Sequence, residues 1–475
     1  MSPQEWLLLA MVLALFGAIL SGIPAFLAIA GVPMVTAFAA AQFGLFNPNL
    51  LNLFPARVWG VMNNTLLMAV PLFVLMGVLL ERARLAENML RVLARMLGGS
   101  PTGMALAVLA FSTLIAASTG IIGATVVMLV LIALAPMVQA GVPQRQAAGL
   151  ICASGTLGQI IPPSIVLVLL GDQIGNTYLE AQQRSGNFAP QPVSVADLFA
   201  GALVPGLMLV GLYALWMLLT LRVKRNAKAP PPPRGEPVAA SEIAFTFLPP
   251  LLLILAVLGS ILGGVATATE AAGLGAVGAL LLAAFAISQG PGARTLIALA
   301  GLSAFALVSL RVLGLGRAAM DTPAGMAALG AAGLIALGVL LAGGRLWQAR
   351  MLQGALVETI RVSGMVFAIV IAASMLALVF RGLGGDRTVA TLMTGLPGGG
   401  LGALLVVMGI VFLLGFILEA VEIIYVVVPL LGPAVLMGDI SPVWFAVLLA
   451  MNLQTSFLTP PFGFALFYFR SVAPR

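Results

Sequence analysis

The chain is 475 residues long, 61% hydrophobic and only 8% charged, with a mean hydropathy of +1.15, whereas a soluble domain carries roughly 25% charged residues. This excludes a soluble globular protein: most of the chain has to lie in a lipid bilayer, and its length says nothing about a count of soluble domains. The net charge of +7 and pI near 10.5 do not point to nucleic acid, because the arginines lie in short interhelical stretches without interleaved aromatics and read as topology signals. With no histidine and one cysteine, Cys152, the chain lacks the commonest general base and metal ligand and cannot form an intrachain disulfide. No enzyme, cofactor or resident metal is expected.

Residues 1–5 carry no basic side chain ahead of the first apolar run, so a cleaved secretory signal is not expected. Apolar runs fall at about 6–44, broken near Ser21-Gly22-Ile23-Pro24, and at 58–80, 103–138, 146–171 and 198–221. Residues 172–197 hold Asp172, Glu180 and Asp197 against Arg184 and suit the external side. Residues 222–242 hold Arg222, Lys224, Arg225, Lys228 and Arg234 against Glu236 and Glu242, five minus two or +3, around four prolines at 230–233. This is a stiff basic linker, expected in the cytoplasm. A second set of runs follows at 245–263, 270–288, 295–312, 324–342, 356–380, 401–437 and 443–470.

Arg82, Arg84, Arg91 and Arg95 place the stretch after the 58–80 run inside. The 103–138 segment then has to enter and leave on the inner side. Its small, flexible middle, Ala116-Ala117-Ser118-Thr119-Gly120-Ile121-Ile122-Gly123, suits the tip of a re-entrant hairpin, which is tolerated only inside protein or at a wet cavity. The same walk from 243 onward makes 401–437 a hairpin entering from outside, followed by a broken span at 443–470 that runs inward where 146–171 runs outward. The fold expected is all-α and polytopic, with two inverted halves, 1–221 and 243–475.

The sequence supports that pairing. Cys152 to Pro163 reads CASGTLGQIIPP and Met451 to Pro461 reads MNLQTSFLTPP, each about 20 residues past a turn proline, Pro143 or Pro442. A proline pair removes two backbone donors and breaks the helix. Helices broken at corresponding places of inverted repeats are the best sequence pointer to a secondary transporter's binding site. Ser154, Gly155, Thr156, Gln159 and Pro162 in the first break, and Asn452, Gln454, Thr455, Ser456, Thr459 and Pro460 in the second, supply neutral oxygens and unwound backbone suited to Na⁺ and to a carboxylate. The competing reading is interhelical hydrogen bonding.

Three acids, Glu270, Glu419 and Glu422, fall within apolar segments, where each needs a partner, a proton or a cation. They are candidate coupling acids. Glu419 and Glu422, three apart, share a helix face, and Glu270, after Ala266-Thr267-Ala268-Thr269, also fits a helix cap. Arg311, Arg317 and Asp321, and Arg381 with Asp386 and Arg387, read as helix-end topology charges. Residues 273–278 match GxGxxG but sit within an apolar helix, so they read as close helix packing rather than a dinucleotide site. No GxxxxGK[ST] occurs, so an ATP-driven pump would need a separate motor.

At residues 149–165, GLICASGTLGQIIPPSI, at 452–464, NLQTSFLTPPFGF, at 64–81, NTLLMAVPLFVLMGVLLE, and at 267–272, TATEAA, the chain resembles the large membrane subunit of TRAP (tripartite ATP-independent periplasmic) transporters. Within that family it looks nearest to the mannitol and chloroaromatic compound branch. The resemblance implies an elevator-type carrier in the bacterial inner membrane, cation-coupled and usually Na⁺-driven, importing small organic acids or polyols. It also implies two partners, a small four-helix membrane subunit and a periplasmic substrate-binding protein. Where many members carry SGSSxAD in the first hairpin, this chain reads Ala117-Ser118-Thr119-Gly120-Ile121-Ile122-Gly123-Ala124. Relatives usually continue into one more helix beyond Arg475, so a shortened form is expected. A solute channel is the alternative, and an intramembrane enzyme a more distant one.

Overall fold

The computed structural model describes residues 2–83, 85–97, 100–119, 122–223, 239–312, 322–459 and 463–473. Among these residues the chain is helical with no strand. In chain order the helices are α1 (Pro3–Leu20), α2 (Ala25–Gln42), α3 (Phe54–Met62), α4 (Ala69–Arg82), α5 (Leu85–Met96), α6 (Pro101–Thr119) and α7 (Ile122–Leu129). They continue with α8 (Ala135–Gln139), α9 (Gln144–Gly155), α10 (Ile165–Arg184), α11 (Val195–Val223), α12 (Ala240–Leu262), α13 (Ala268–Ile287) and α14 (Pro291–Val312). The last are α15 (Pro323–Gln348), α16 (Met351–Gly382), α17 (Gly385–Thr394), α18 (Gly399–Leu414), α19 (Ala420–Leu436), α20 (Pro442–Leu458) and α21 (Phe464–Val472). Nine of the described helical stretches are long and apolar enough to cross a membrane, as a polytopic protein requires.

Helix ends follow local chemistry. Ser2 and Glu5 form a capping box on α1, and Ser441 caps α20 through the Trp444 N–H; each satisfies N–H groups that the first turn leaves without carbonyls. The anticipated break at 21–24 is real, with Gly22 at φ +88° ending α1 and Pro24 preceding α2. Residues 58–80 are not one helix. Asn63 and Asn64 interrupt it, and the Asn64 side chain accepts from the Leu66 N–H at 3.0 Å, nucleating a 3-10 turn (Thr65–Met68) before α4. Polar residues 172–184, assigned to an external connection, prolong α10 by three turns, held partly by the Glu180–Arg184 pair four residues apart. Residues 224–238 of the 222–242 linker lie outside the described residues, as do Arg317, Asp321 and the first hairpin's tip, Gly120-Ile121.

The chain folds into two compact units. The first comprises residues 1–67, 168–198 and 361–462; the second comprises 68–167, 199–360 and 463–475. In the first, α18 packs on α19 and α20, α17 packs on α19, and α1 packs on α2. In the second, α13 lies along α4 and touches α12, α14 and α15, while α6 lies against α9. The GxGxxG run serves this packing. A Cβ on Gly275 would stand 2.6 Å from Met76 Sδ, and one on Gly278 would overlap Leu253. Lipid supplies little hydrophobic drive between helices, so close backbone approach through small residues carries much of their association.

Gly338 of α15 is more demanding, because its Cβ would overlap the Cβ of Ala300 on α14, a group that cannot rotate away. Gly338→Ala is expected to cost about 1–3 kcal/mol through overpacking. Gly333→Ala, with open space at the same helix, should be neutral or stabilising by about 1 kcal/mol from helix propensity. Thermal unfolding of the two detergent-purified variants tests this; equal midpoints would refute the close α14–α15 contact.

Candidate functional site

In the second unit, α9 ends at Gly155 and the chain runs through a 3-10 turn (Leu157–Gln159) to Pro162 and Pro163, joined by a cis peptide, before α10 begins. Residues 154–164 are all buried. The freed backbone is answered by side chains. Ser164 donates to the Gln159 carbonyl at 3.0 Å and accepts from the Leu167 N–H at 3.5 Å, and Thr156 donates to the Ala153 carbonyl at 2.9 Å. Ser154 Oγ meets Ser112 Oγ of α6 at 3.1 Å. Gly155 lies against α7, where a Cβ would stand 2.5 Å from Val126 Cγ2. Gln159 Oε1 is buried and has no hydrogen-bond partner among the described residues. A buried, unpaired carbonyl oxygen costs about 1–3 kcal/mol, so its retention beside a helix break marks a place where an ion or water would be welcome.

The first unit repeats these local parts. Hairpin helices α18 and α19 join through a bend at residues 415–419, and α20 carries the second cluster. Asn452 Nδ2 donates to the Met408 carbonyl on α18 at 2.6 Å. Ser456 is buried, bonded to the Leu453 carbonyl at 2.8 Å, and lies so close to the hairpin bend that any side chain at Gly415 would displace its hydroxyl. Thr455 and Thr459 donate to the Met451 and Thr455 carbonyls at 2.9 and 2.8 Å, keeping lone pairs free to accept. Gln454 is buried. Pro460 and Pro461 fall outside the described residues, as does Phe462.

Ser154 and Asn452 each lie eight residues before the first proline of their pair (162 − 154 and 460 − 452). Each also ties its broken span to the first arm of the hairpin beside it, Ser112 on α6 or Met408 on α18. Each cluster therefore sits at the junction of a hairpin with a broken span. The Ser/Asn and Gly positions belong together within each unit.

The three candidate acids are all helix caps. Glu270 and Thr267 form a capping box on α13, with the Thr267 N–H donating to Glu270 Oε2 at 2.8 Å. Glu419 is the N-cap of α19, and its N–H donates to Glu422 Oε2 at 3.3 Å. The two glutamates thus form the N-cap and N3 positions of one capping box at the start of α19, whose N-terminus favours negative charge there.

Other polar groups of the first unit escaped the sequence reading. Asp172 of α10 accepts from Asn64 Nδ2 at 2.9 Å and from Tyr425 Oη of α19 at 3.2 Å. Arg381 and Asp386, read as helix-end charges, close a network with Glu180 and Arg184: Glu180 binds Arg184 and Arg381, both at 2.6 Å, and Asp386 binds Arg184. The partners lie about 200 residues apart in sequence, so local pattern could not pair them. The one available signal was an aspartate directly following Gly171 at the end of an apolar run.

The sequence profile of the Tripartite ATP-independent periplasmic transporter, DctM component, matches residues 7–300 and 295–475. The C4-dicarboxylate TRAP transporter large permease protein DctM of Vibrio cholerae is 34% identical over 219 residues, 46% of this chain and 44% of that protein. The isethionate TRAP transporter permease protein DctMQ of Oleidesulfovibrio alaskensis is 27% identical over 410 residues, 86% and 52% of the two chains. The ectoine TRAP transporter large permease protein TeaC of Halomonas elongata is 27% identical over 274 residues, 57% and 58% of the two chains. In these matches the chain spans about half the length of its relatives. The profile match takes in both hairpins and both proline-pair segments, and on that ground the chain belongs to the family of TRAP transporter large permease subunits, the DctM component.

Proposed function

We propose that this chain is the permease of a cation-coupled secondary importer in the bacterial inner membrane, moving a small organic acid inward with Na⁺. It receives its solute from a periplasmic substrate-binding protein and works beside a small four-helix membrane subunit. The observation that carries this reading is the pair of hairpin and broken-span junctions, each lined by neutral oxygen-bearing side chains, with unwound backbone at 156–164 in the first. Such groups replace a sodium ion's hydration shell and donate to a carboxylate without themselves adding charge to the membrane interior. The halves 1–221 and 243–475 are read as inverted repeats. The hairpins and broken spans then move together in an elevator cycle once both solute and cation are bound. Relatives named for C4-dicarboxylates, isethionate and ectoine support a compact charged cargo.

The test is uptake of radiolabelled succinate into proteoliposomes holding this chain with its small subunit and binding protein. Uptake should saturate, require an inward Na⁺ gradient and stop when the gradient is dissipated. Flux that rises linearly with concentration and ignores Na⁺ would establish a channel instead.

Two variants separate transport from architecture. Gln159→Leu removes an oxygen that finds no partner among the described residues, so it should leave the unfolding midpoint unchanged or raised, yet lower uptake by about tenfold or more if that oxygen serves the cation. Wild-type uptake would take Gln159 out of the site. Glu422→Gln keeps an acceptor for the Glu419 N–H, whereas Glu422→Ala removes the cap at a cost of about 1 kcal/mol. Coupling through this acid predicts that both variants lose Na⁺-driven uptake but only the alanine lowers the unfolding midpoint. Normal uptake by Glu422→Gln would assign the acid to capping alone.

A further inference from the structure

Within the first unit, apart from the residues of either break, α3, α10, α16 and α19 line an open-mouthed cavity of about 320 Å³. That lies near the lower end of the range for ligand pockets, roughly 300–1,000 Å³. Its polar walls include Arg57 from α3, Asn64 from the bend before α4, Asp172 from α10 with Gln173 and Asn176 beside it, Arg381 from α16, and Tyr425 from α19.

The charges around it are unevenly matched. Arg184 and Arg381 share Glu180 and Asp386, two cations with two carboxylates, and that network is internally neutral. Arg57 has no ion-pair partner among the described residues. Burial lowers its pKa, and Arg381 beside it lowers it further against the opposing pull of Glu180. Two guanidiniums therefore face one region of the cavity with one charge uncompensated, and an acid group placed there would accept from both forks.

The opposite chemistry stands at Asp172. Asn64 holds one of its oxygens and Tyr425 the other, which orients the carboxylate and uses two of its roughly four acceptor positions. The remainder are available to a donor in the cavity. A single anion would satisfy Arg57 but face Asp172; a solute carrying an acid at one end and a donor at the other meets both.

We propose that this cavity is a second solute site. It takes a compact molecule whose carboxylate or sulfonate lies between Arg57 and Arg381 and whose far end, ammonium better than hydroxyl, donates to Asp172. Its use in transport rests on the carrier reading above, but binding can be measured without transport. If Asp172, Asn64 and Tyr425 only tie α10 to α19, their removal changes stability and leaves ligand preference alone.

The experiment is calorimetric titration of the purified full chain in lipid nanodiscs, at fixed NaCl, with γ-aminobutyrate, γ-hydroxybutyrate and butyrate. These probes are closely matched in size and differ at the far end. Affinity should fall in that order, with about tenfold or more between the first and the last. Asp172→Asn should bring the three within about twofold of one another, Tyr425→Phe should narrow the spread partway, and Arg57→Gln should weaken all three by about tenfold or more without reordering them. Arg57→Lys, keeping the charge but not the fork, should fall between wild type and the glutamine variant. Equal affinities or no binding in the wild type, or an Arg57→Gln protein that titrates like wild type, would overturn the proposal. Since no gradient is involved, intact titrations with failed vesicle uptake would count against the carrier reading and not against this site.

Discussion

Lipid offers no partner to a peptide group, and that governs how this chain departs from helix. An unpaired N–H or C=O in hydrocarbon costs several kcal/mol, so irregular backbone at membrane depth survives only inside protein. The segment at 154–164 obeys this strictly: it is entirely buried, and Ser164 serves at once the Gln159 carbonyl behind it and the next helix's first turn ahead of it. Pro162 and Pro163 withhold two donors that a continuous helix would have used. What is left is a short run of backbone and side-chain oxygens, enclosed and held in place, whose natural complement is a cation.

Close approach is the second condition, since an enclosed break needs walls. Gly155 admits Val126, and Gly415 admits Ser456, so each broken span reaches the hairpin beside it without an intervening side chain. The same device holds α13 to α4 at Gly275. Glycine costs helix stability, about 1 kcal/mol relative to alanine. Its use at these contacts rather than only in turns shows that packing distance limits the design. Transport and architecture meet here, because shifting either hairpin by an ångström would alter the spacing of the oxygens beside it.

Much of this was legible in the sequence because the signals are local. The apolar runs gave the all-α membrane fold, the twin proline pairs located the breaks, and TATEAA showed the Glu270 cap through its capping-box spacing. Less visible were features made by distant residues. The bend at Asn63 and Asn64 interrupts an apolar run that reads as one span, because a side-chain bond to Leu66 outweighs periodicity. The polar stretch 172–184 reads as a connection, yet it continues α10 because its charges find partners on α16 and α17. Asp172 bonds to groups 108 and 253 residues away, and no local pattern carries that. Gln159 was visible as a candidate, but its unpaired oxygen was not.

Several of the acids among the described helices have a local structural role. Glu5, Glu270, Glu419 and Glu422 cap helix starts. Glu180, Asp386, Glu358 and Glu242 each hold an arginine. Such roles either offset the helix dipole or keep a guanidinium paired, and none needs a ligand. Asp172 differs from these acids in being held only by the neutral donors Asn64 and Tyr425, and it lines one cavity with Arg57, which has no ion-pair partner among the described residues. In a membrane protein a half-buried charge without an opposite charge paired to it is costly to retain. Arg57 and Asp172 line one space with opposite sign, which argues that the space is shaped for a molecule carrying the complementary pair.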